Sequence, residues 1–338
     1  MRLLGIETSC DETAAAVVEN GRRVLAQTIA SQMDVHAQFG GVVPEVASRL
    51  HVHAITRVVE RAMQEAACDW TQLDGIAVTC GPGLLGALLV GVSAAKGWAL
   101  ATGLPLYGVH HIAGHVAAGF LDTDLEPPLL ALIVSGGHTE LSVVDEHFRF
   151  RRLGGTKDDA AGEAFDKVAR IVGLSYPGGP KVDELAGHGD PTAYAFPRSL
   201  LDEDSYDFSF SGLKSAVFND IARRRQRSEP VVDVDVCASF QAAVVDVLVE
   251  KTARAVAETG LRTVVVAGGV ASNRGLRRAL ADRAAQDGFR VHFPPPALCT
   301  DNAAMIAAAG WWLARAGRTH DLSLNAWATL SLDDWQRG

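Results

Sequence analysis

The chain lacks the marks of a disulfide-built, membrane-spanning or broadly cationic protein. Its five cysteines (Cys10, Cys68, Cys80, Cys237, Cys299) are odd in number and form no CxxC pair, which argues against a disulfide framework or zinc ribbon and fits reduced thiols. Cationic excess is missing too. With 31 Lys and Arg against 40 Asp and Glu, the formal charge of -9 excludes a chain-wide electrostatic grip on nucleic acid. The opening MRLLGIETSCDE carries an apolar run too short for a signal peptide and meets Glu7 at once. The longest apolar stretch, Leu84 to Leu106, is broken by glycines, Lys96 and Pro105, as expected of a buried helix rather than a membrane span. These absences predict a cytoplasmic protein. The glycine turn Gly268-Gly269-Val270-Ala271-Ser272-Asn273 lacks the GxGxxG order and the GxxxxGK[ST] lysine, so it implies neither a dinucleotide site nor a P-loop.

What is present is a globular composition, 48% hydrophobic and 21% charged, over 338 residues, enough for two lobes. The 33 glycines cluster at predicted strand ends, where backbone approaches a ligand or another segment. Two local basic stretches stand out: Arg223-Arg224-Arg225-Gln226-Arg227, and Arg274, Arg277 and Arg278. A solvated face is their ordinary explanation, and nucleic-acid contact stays open.

The chain repeats its own plan. Strands at Leu3–Glu7 and Ala14–Val18 flank the polar turn Thr8–Thr13; strands at Leu129–Val134 and Glu140–Val144 flank the turn Ser135–Thr139. Later, Gly75–Thr79 leads through Gly81-Pro82-Gly83 into a helix near Leu84–Ala99 and a short strand, Leu106–Val109. In parallel, Thr263–Ala267 leads through Gly268-Gly269 into a helix near Asn273–Asp287, the strand Arg290–Phe293 and a helix near Asn302–Ala316. Strands alternating with helices predict an α/β fold. The boundaries place an N-terminal lobe at 1–118, with 302–338 packing back on it, and a C-terminal lobe at 119–301.

Val109-His110-His111-Ile112-Ala113-Gly114-His115 is the richest segment. His111 and His115 share one helical face at the spacing that lets two imidazoles grip one metal ion. Ile112 stands where the zinc-protease HExxH has its Glu, so water activation of that kind is not implied. If the lobes are related by a pseudo-two-fold, Asp301 follows the corresponding strand and becomes a third ligand facing a cleft. A set of two His and one Asp with open positions suits Fe(II), Zn or Mn. Helix capping is the competing explanation for Asp301, in Thr300-Asp301-Asn302 before an Ala-rich helix.

Three further loops invite a ligand. Ser135-Gly136-Gly137-His138-Thr139 can offer backbone N–H groups to a phosphate or carboxylate, although SGG also occurs in ordinary hairpins. Gly268-Gly269-Val270-Ala271-Ser272-Asn273 sits at a strand end and helix start, where N–H donors can meet a nucleotide or simply make a tight turn. Asp166 and Asp183 flank the glycine-rich Tyr176-Pro177-Gly178-Gly179-Pro180, as needed to hold ribose hydroxyls or an ammonium, or as plain surface and turn carboxylates. Asp207-Phe208-Ser209-Phe210-Ser211-Gly212-Leu213-Lys214 reads first as a structural edge strand.

In order along the chain, GIETSCDETAAAVV, GGVVPEVASRLH, GPGLLGALLVG, VHHIAGH, LIVSGGHTEL, DDAAGEAFDKVARIVGLSYPGGP, DFSFSGLK, VVVAGGVASN and CTDNAAMIA closely resemble the TsaD family of tRNA N6-adenosine threonylcarbamoyltransferases, once described as glycoprotein endopeptidases. The resemblance spans residues 5 to about 309. It implies the two-lobed fold of actin, Hsp70 and sugar kinases, with the active site in the interlobe cleft. It further implies transfer of a threonylcarbamoyl group from threonylcarbamoyl-AMP to N6 of the adenosine 3′ to the anticodon, in tRNAs reading codons that begin with A. His111, His115 and Asp301 match the family's metal ligands, most often Fe(2+). Val134, Ser135, Gly136, Gly137, His138, Asp166, Gly179, Asp183 and Asn273 match its substrate contacts. Asp11 and Glu12 are candidates for accepting the adenine proton or orienting tRNA. A TsaB-like paralogue, pairing through helices Val46–Ala67 and Leu84–Leu100, and a TsaE-like ATPase are the implied partners. A metalloprotease, a small-molecule kinase of the same fold and a non-catalytic scaffold are the rival readings.

Overall fold

Buried β-strands with few breaks in their apolar runs organise this chain, and the computed structural model describes residues 1–337. The order begins β1 (Arg2–Glu7), β2 (Glu12–Glu19), β3 (Arg23–Ser31), α1 (Met33–Ala37), α2 (Pro44–Glu65), β4 (Gly75–Gly81), α3 (Leu85–Thr102), β5 (Leu106–His110) and α4 (His111–Ala117). It continues β6 (Leu129–Val134), β7 (Thr139–Val144), β8 (Phe150–Gly155), α5 (Ala161–Ile171), α6 (Gly178–Ala186), α7 (Ser211–Gln226) and α8 (Asp233–Thr259). It closes with β9 (Thr263–Ala267), α9 (Arg274–Asp287), β10 (Arg290–His292), α10 (Pro296–Cys299), α11 (Ala303–Arg315) and α12 (Leu332–Arg337).

Two compact units result. The first comprises Met1–Pro127, Asp145–Phe150 and Thr300–Gly338, and the second Pro128–Val144 and Arg151–Cys299. The first holds a five-stranded sheet ordered β3-β2-β1-β4-β5 and the second one ordered β10-β9-β6-β7-β8. Read from the other edge, the second order is β8-β7-β6-β9-β10, so the strands correspond one for one. In each sheet the first two strands form an antiparallel hairpin, and the first strand then pairs in parallel with one that arrives after a helix. Parallel pairing demands such a crossover, so the repeated sequence plan becomes a repeated topology.

Two segments near predicted strands differ from expectation. Glu12 and Thr13 are not turn residues: they open β2, in register with Ser31 and Ala30 of β3, a strand the sequence reading omitted. The segment Asp207–Lys214 is not an edge strand. Only the bridge Thr156↔Phe208 forms, because the Asp158 carboxylate accepts from the Phe210 and Ser211 N–H groups and from the Ser209 hydroxyl, holding the entry to α7.

In the first unit, α11 lies against β1 at an approach that only small residues permit. A Cβ on Gly5 would sit 2.2 Å from the Ala303 carbonyl oxygen, and one on Gly114 of α4 would sit 2.7 Å from Ile306. The alanines of α11 complete that contact, and most of the helix is buried. Tight packing of this kind costs several kcal/mol to disturb, so the start of α11 is fixed relative to the ends of β1 and β5. Helix α3 differs from the wholly buried helix expected. Ala87, Leu88, Gly91, Val92, Ala95 and Ala99 face inward. Leu85, Leu89 and Leu100 remain 47%, 41% and 72% exposed. By length and composition alone α3 is apolar enough to cross a membrane.

Candidate functional site

The first unit's loops converge on Glu7, the last residue of β1. Its carboxylate is completely buried and accepts three hydrogen bonds. The Ser9 N–H donates to Oε1 at 2.5 Å, the Thr79 hydroxyl to Oε2 at 2.7 Å, and His111 Nδ1 to Oε2 at 3.1 Å. A carboxylate only accepts, so Nδ1 of His111 must carry a proton, and Nε2 is left as the lone-pair nitrogen of the neutral ring. Such a carboxylate–imidazole pair orients metal-ligating histidines generally.

His111 opens α4, and His115 follows one turn later on the same face, their ring centroids 4.6 Å apart. Asp301, just before α11, places Oδ1 3.5 Å from His111 Nε2 and 3.3 Å from His115 Nε2. One potential ligand atom from each of the three lies within 4.8 Å of the others. Helix capping does not explain Asp301: the cap is Asn302, whose Oδ1 accepts from the Met305 N–H at 2.9 Å. All three side chains belong to the first unit. The sequence boundary had put Asp301 at the end of the other lobe.

The donor set fits a divalent cation. Burial opposes protonation of His111, yet the carboxylates of Asp301 and Glu7 outweigh it and hold the imidazole above its usual range. Burial likewise works against ionised Asp301, but the two histidines draw its carboxyl below the ordinary range. The cluster thus favours a positive charge at its centre, which a proton supplies in the metal-free protein. His115 Nδ1 is buried with no hydrogen-bond partner among the described residues, a desolvated donor or acceptor still to be matched.

His110 has a different task. Its Nδ1 accepts from the Ile112 N–H at 3.1 Å and caps α4, while Nε2 bonds the Leu330 carbonyl at 2.9 Å. Since the first bond needs a lone pair on Nδ1, the proton is on Nε2. The C-terminal tail therefore fixes the tautomer of the residue that starts the ligand helix. The Trp335 indole N–H donates to the Gly108 carbonyl at 2.9 Å, anchoring that tail to β5.

Glu12 and Asp11 lie on the loop and strand following Glu7. One Glu12 oxygen accepts from the Ser31 hydroxyl at 2.9 Å, and the other is buried without a partner among the described residues. Burial, with help from the Asp11 charge, pushes the Glu12 carboxyl up to about 7.

The second unit presents backbone rather than side chains. Val134 ends β6, and the Ser135 N–H donates to the His138 carbonyl at 2.8 Å across the turn. Around Gly136 and Gly137 there is open space. The turn is held from below by two glycines. Gly162, at the start of α5, would bring a Cβ within 2.6 Å of the Ser135 carbonyl oxygen, and Gly268, at φ +93°, within 2.5 Å of that of Val134. The remaining predicted contacts hold helix ends. Asp166 Oδ1 accepts from the Gly178 and Gly179 N–H groups at 2.9 and 3.2 Å, at the start of α6. Asp183 accepts from the Arg274 N–H and guanidinium at 3.2 and 3.0 Å. Asn273 caps α9 through the Leu276 N–H at 2.8 Å, and its amide donates to Gln241 at 2.7 Å.

Sequence reasoning missed the roles of Glu7, Thr79 and Leu330. For Glu7 a signal existed: a carboxylate closing an otherwise apolar strand, LLGIE, needs buried partners. Thr79 and Leu330 gave none, because their roles follow from pairings made at long sequence distance.

Comparison with known proteins identifies the chain in two stages. Full-length HypF in its phosphate- and nucleotide-bound form matches with a TM-score of 0.63 at 17% identity, over 93% of this chain and 46% of that one. The Acidaminococcus fermentans (R)-2-hydroxyglutaryl-CoA dehydratase component A matches with a TM-score of 0.53 at 15% identity, over 94% and 100%. Likeness at such identities shows the fold, the duplicated α/β class that includes actin, Hsp70 and sugar kinases. The family description "tRNA N6-adenosine threonylcarbamoyltransferase" (TsaD) matches residues 23–308. The Geobacillus kaustophilus (strain HTA426) tRNA N6-adenosine threonylcarbamoyltransferase is 59% identical over 331 residues, 98% of this chain and 96% of that relative. The Staphylococcus aureus (strain MRSA252) protein of the same name is 53% identical over 333 residues, 98% and 97%. The chain belongs to the tRNA N6-adenosine threonylcarbamoyltransferase family.

Proposed function

We propose that this enzyme transfers the threonylcarbamoyl group of threonylcarbamoyl-AMP to N6 of the adenosine 3′-adjacent to the anticodon, in tRNAs reading codons that begin with A. The observation that carries this reading is the Glu7-oriented set of His111, His115 and Asp301 in a chain of this family. The donor is a mixed anhydride and already activated, so the absence of a P-loop lysine is no obstacle. The N6 amine is a weak nucleophile because its lone pair is delocalised into the ring. The new bond joins N6 to the carbamoyl carbon, the bond from that carbon to the phosphate oxygen breaks, and AMP leaves.

The protein's contribution follows from the two donor types. Backbone N–H groups of the Ser135–His138 turn suit the adenylate phosphate, with Val134, Gly179 and Asn273 and the carboxylates of Asp166 and Asp183 shaping its surroundings. A divalent metal held by His111, His115 and Asp301, most favourably Fe(2+) with Zn or Mn compatible by donor type, supplies Lewis acidity. Glu12, with its buried free oxygen and a carboxyl near neutrality, is fitted to take the proton that N6 releases, and Asp11 to orient tRNA beside it.

The reading includes a TsaB-like paralogue, a TsaE-like ATPase and a cytoplasmic location. Support for the paralogue comes from α2 and α3, which pack together and leave Val52, Leu85 and Leu89 exposed. The test is reconstitution with threonine, bicarbonate, ATP, the adenylate-forming enzyme and both partners, scored as modified nucleoside in tRNA. Formation of threonylcarbamoyladenosine is expected. A complete system that yields none overturns the reading, and metal-dependent cleavage of a glycoprotein would revive the protease alternative.

A further inference from the structure

The two basic stretches in the sequence are engaged to different degrees. On α9, the Arg274 guanidinium is locked onto Asp183 at 3.0 Å. Arg277 donates to the carbonyls of Ala271 and Pro294, both at 2.7 Å, and lies over the Phe293 ring. Two of that stretch's three arginines thus bond within their own unit, while Arg278 is exposed. The arginines ending α7 are spent only in part.

Helix α7 buries a narrow seam of Leu213, Val217 and Ile221. Its exposed positions include Ser215, Phe218, Asn219, Arg223, Arg225 and Gln226, and none is acidic. The helix's own acid, Asp220, is half-buried on the seam side and pairs with Arg223 and with Arg224, the latter at 2.8 Å. Arg227 reaches only Glu229, at 3.9 Å. Arg225 has no ion pair among the described residues. Four arginines thus face two carboxylates at this helix end, on a protein whose overall charge is -9. Part of this is ordinary, since cations favour a helix C-terminus. The dipole does not explain Phe218, which is 57% exposed. Phe218 and Arg225 fall within ~20° of one another at ~100° per residue, so a bare aromatic ring shares its flank with an unpaired cation. Lys214, on the same flank, is held by Asp159 at 3.5 Å. Cations, amides and hydroxyls around an exposed ring, with acids excluded, are the chemistry of a single-stranded nucleic-acid surface, where phosphates meet arginine and a base stacks on the ring.

We infer that the outer face of α7 is a tRNA-docking surface, with Arg225 and its neighbouring cations on backbone phosphates and Phe218 stacking an unpaired base. This rests on tRNA being the acceptor substrate and assigns where the protein holds it. Since the overall charge is repulsive, a carboxylate-free face is where a polyanion can approach.

The experiment measures tRNA affinity by fluorescence anisotropy across a salt series, using the full-length protein with its partner subunits and no donor present. Phe218→Ala should weaken binding about tenfold with an unchanged salt slope, and Phe218→Trp should restore it, because stacking needs only a ring face. Arg225→Ala should lower the slope of log K against log salt by roughly 0.7–0.9, one phosphate contact. Both side chains are exposed, so the thermal midpoint should stay at the wild-type value. Wild-type slope and affinity in both variants overturn the docking assignment while leaving the transferase reading intact. A wild-type complex that binds no tRNA, while making no modified nucleoside, removes both.

Discussion

In the first unit, the chain ends β5, turns into α4 and later enters α11 with side chains that caps and ladders leave free: His111, His115 and Asp301. In the second unit, the same strand order delivers Asp166, Asp183 and Asn273 to helix ends they must hold, and leaves glycine backbone open to solvent instead. One topology therefore serves two kinds of chemistry. The first unit offers lone pairs on side chains, suited to a cation. The second offers N–H groups on a turn, suited to an anion. What separates them is the residue assigned to capping: Asn302 relieves Asp301 of that work, whereas Asn273 and Asp183 do it themselves.

The contrast can be broken most directly at Asp301. Asp301→Ala should weaken Co(II) or Zn(II) binding by more than the roughly 10–100-fold typical of losing an outer partner such as Glu7, with loss of transfer activity. Metal titration checks this, and unaltered affinity would remove the first unit's side chains from the comparison. For the second unit, Gly268→Ala places a methyl against the Val134 carbonyl at φ +93° and should cost about 1–3 kcal/mol or more of stability, together with AMP affinity. Gly136→Ala, with open space around it, should stay within about 0.5 kcal/mol by denaturant titration, so any loss of AMP binding there reports on the ligand alone.

Glu12 sharpens the comparison through pH. Its folded carboxyl, near 7, lies above the ordinary value of 4.5, so the native state holds more protons between those limits. Stability from this group is present in full below pH 4.5, falls as pH rises, and is lost above about 7. Allowing for solvent screening of a partly exposed group, the loss is about 1–2 kcal/mol. Glu12→Gln should flatten that part of the stability–pH curve, and an unchanged curve would show that Glu12 titrates normally. A smaller effect than that of Gly268 is expected at His110. His110→Ala should cost about 1 kcal/mol with the α4 cap, while His110→Asn, which keeps an acceptor at the cap, should recover most of it in the thermal midpoint.

The duplicated plan was legible because hydrophobic runs and glycine turns recur in the same order in both halves, and strand pairing follows from such local signals. The histidine spacing was legible for the same reason: a single helical turn relates His111 to His115. Residues whose function depends on a distant partner were harder to read. Nothing local distinguishes Asp301 from Asn302 as the cap, and the choice depends on where α11 begins against Gly5. Strand β3 was missed because RVLAQTIAS is half-exposed throughout and shows no clear alternation. The two arginine stretches look alike in sequence, yet only their contacts with Asp183, Ala271 and Pro294 show that Arg274 and Arg277 are bound within their own unit.

The sequence by itself therefore determined the α/β class, the repeat, the paired histidines and the family, all properties carried by local pattern or by order along the chain. Tertiary structure decided the rest: which carboxylate is free to be a ligand, which ring nitrogen of His111 and His110 carries the proton, and which arginines are spent within their own unit. Several of the deciding contacts come from more than ninety residues away in the chain: Glu7 for His111, Leu330 for His110 and Asp183 for Arg274. Hydrogen bonds and burial at that range exist only once the backbone has folded to bring the partners within about 3 Å.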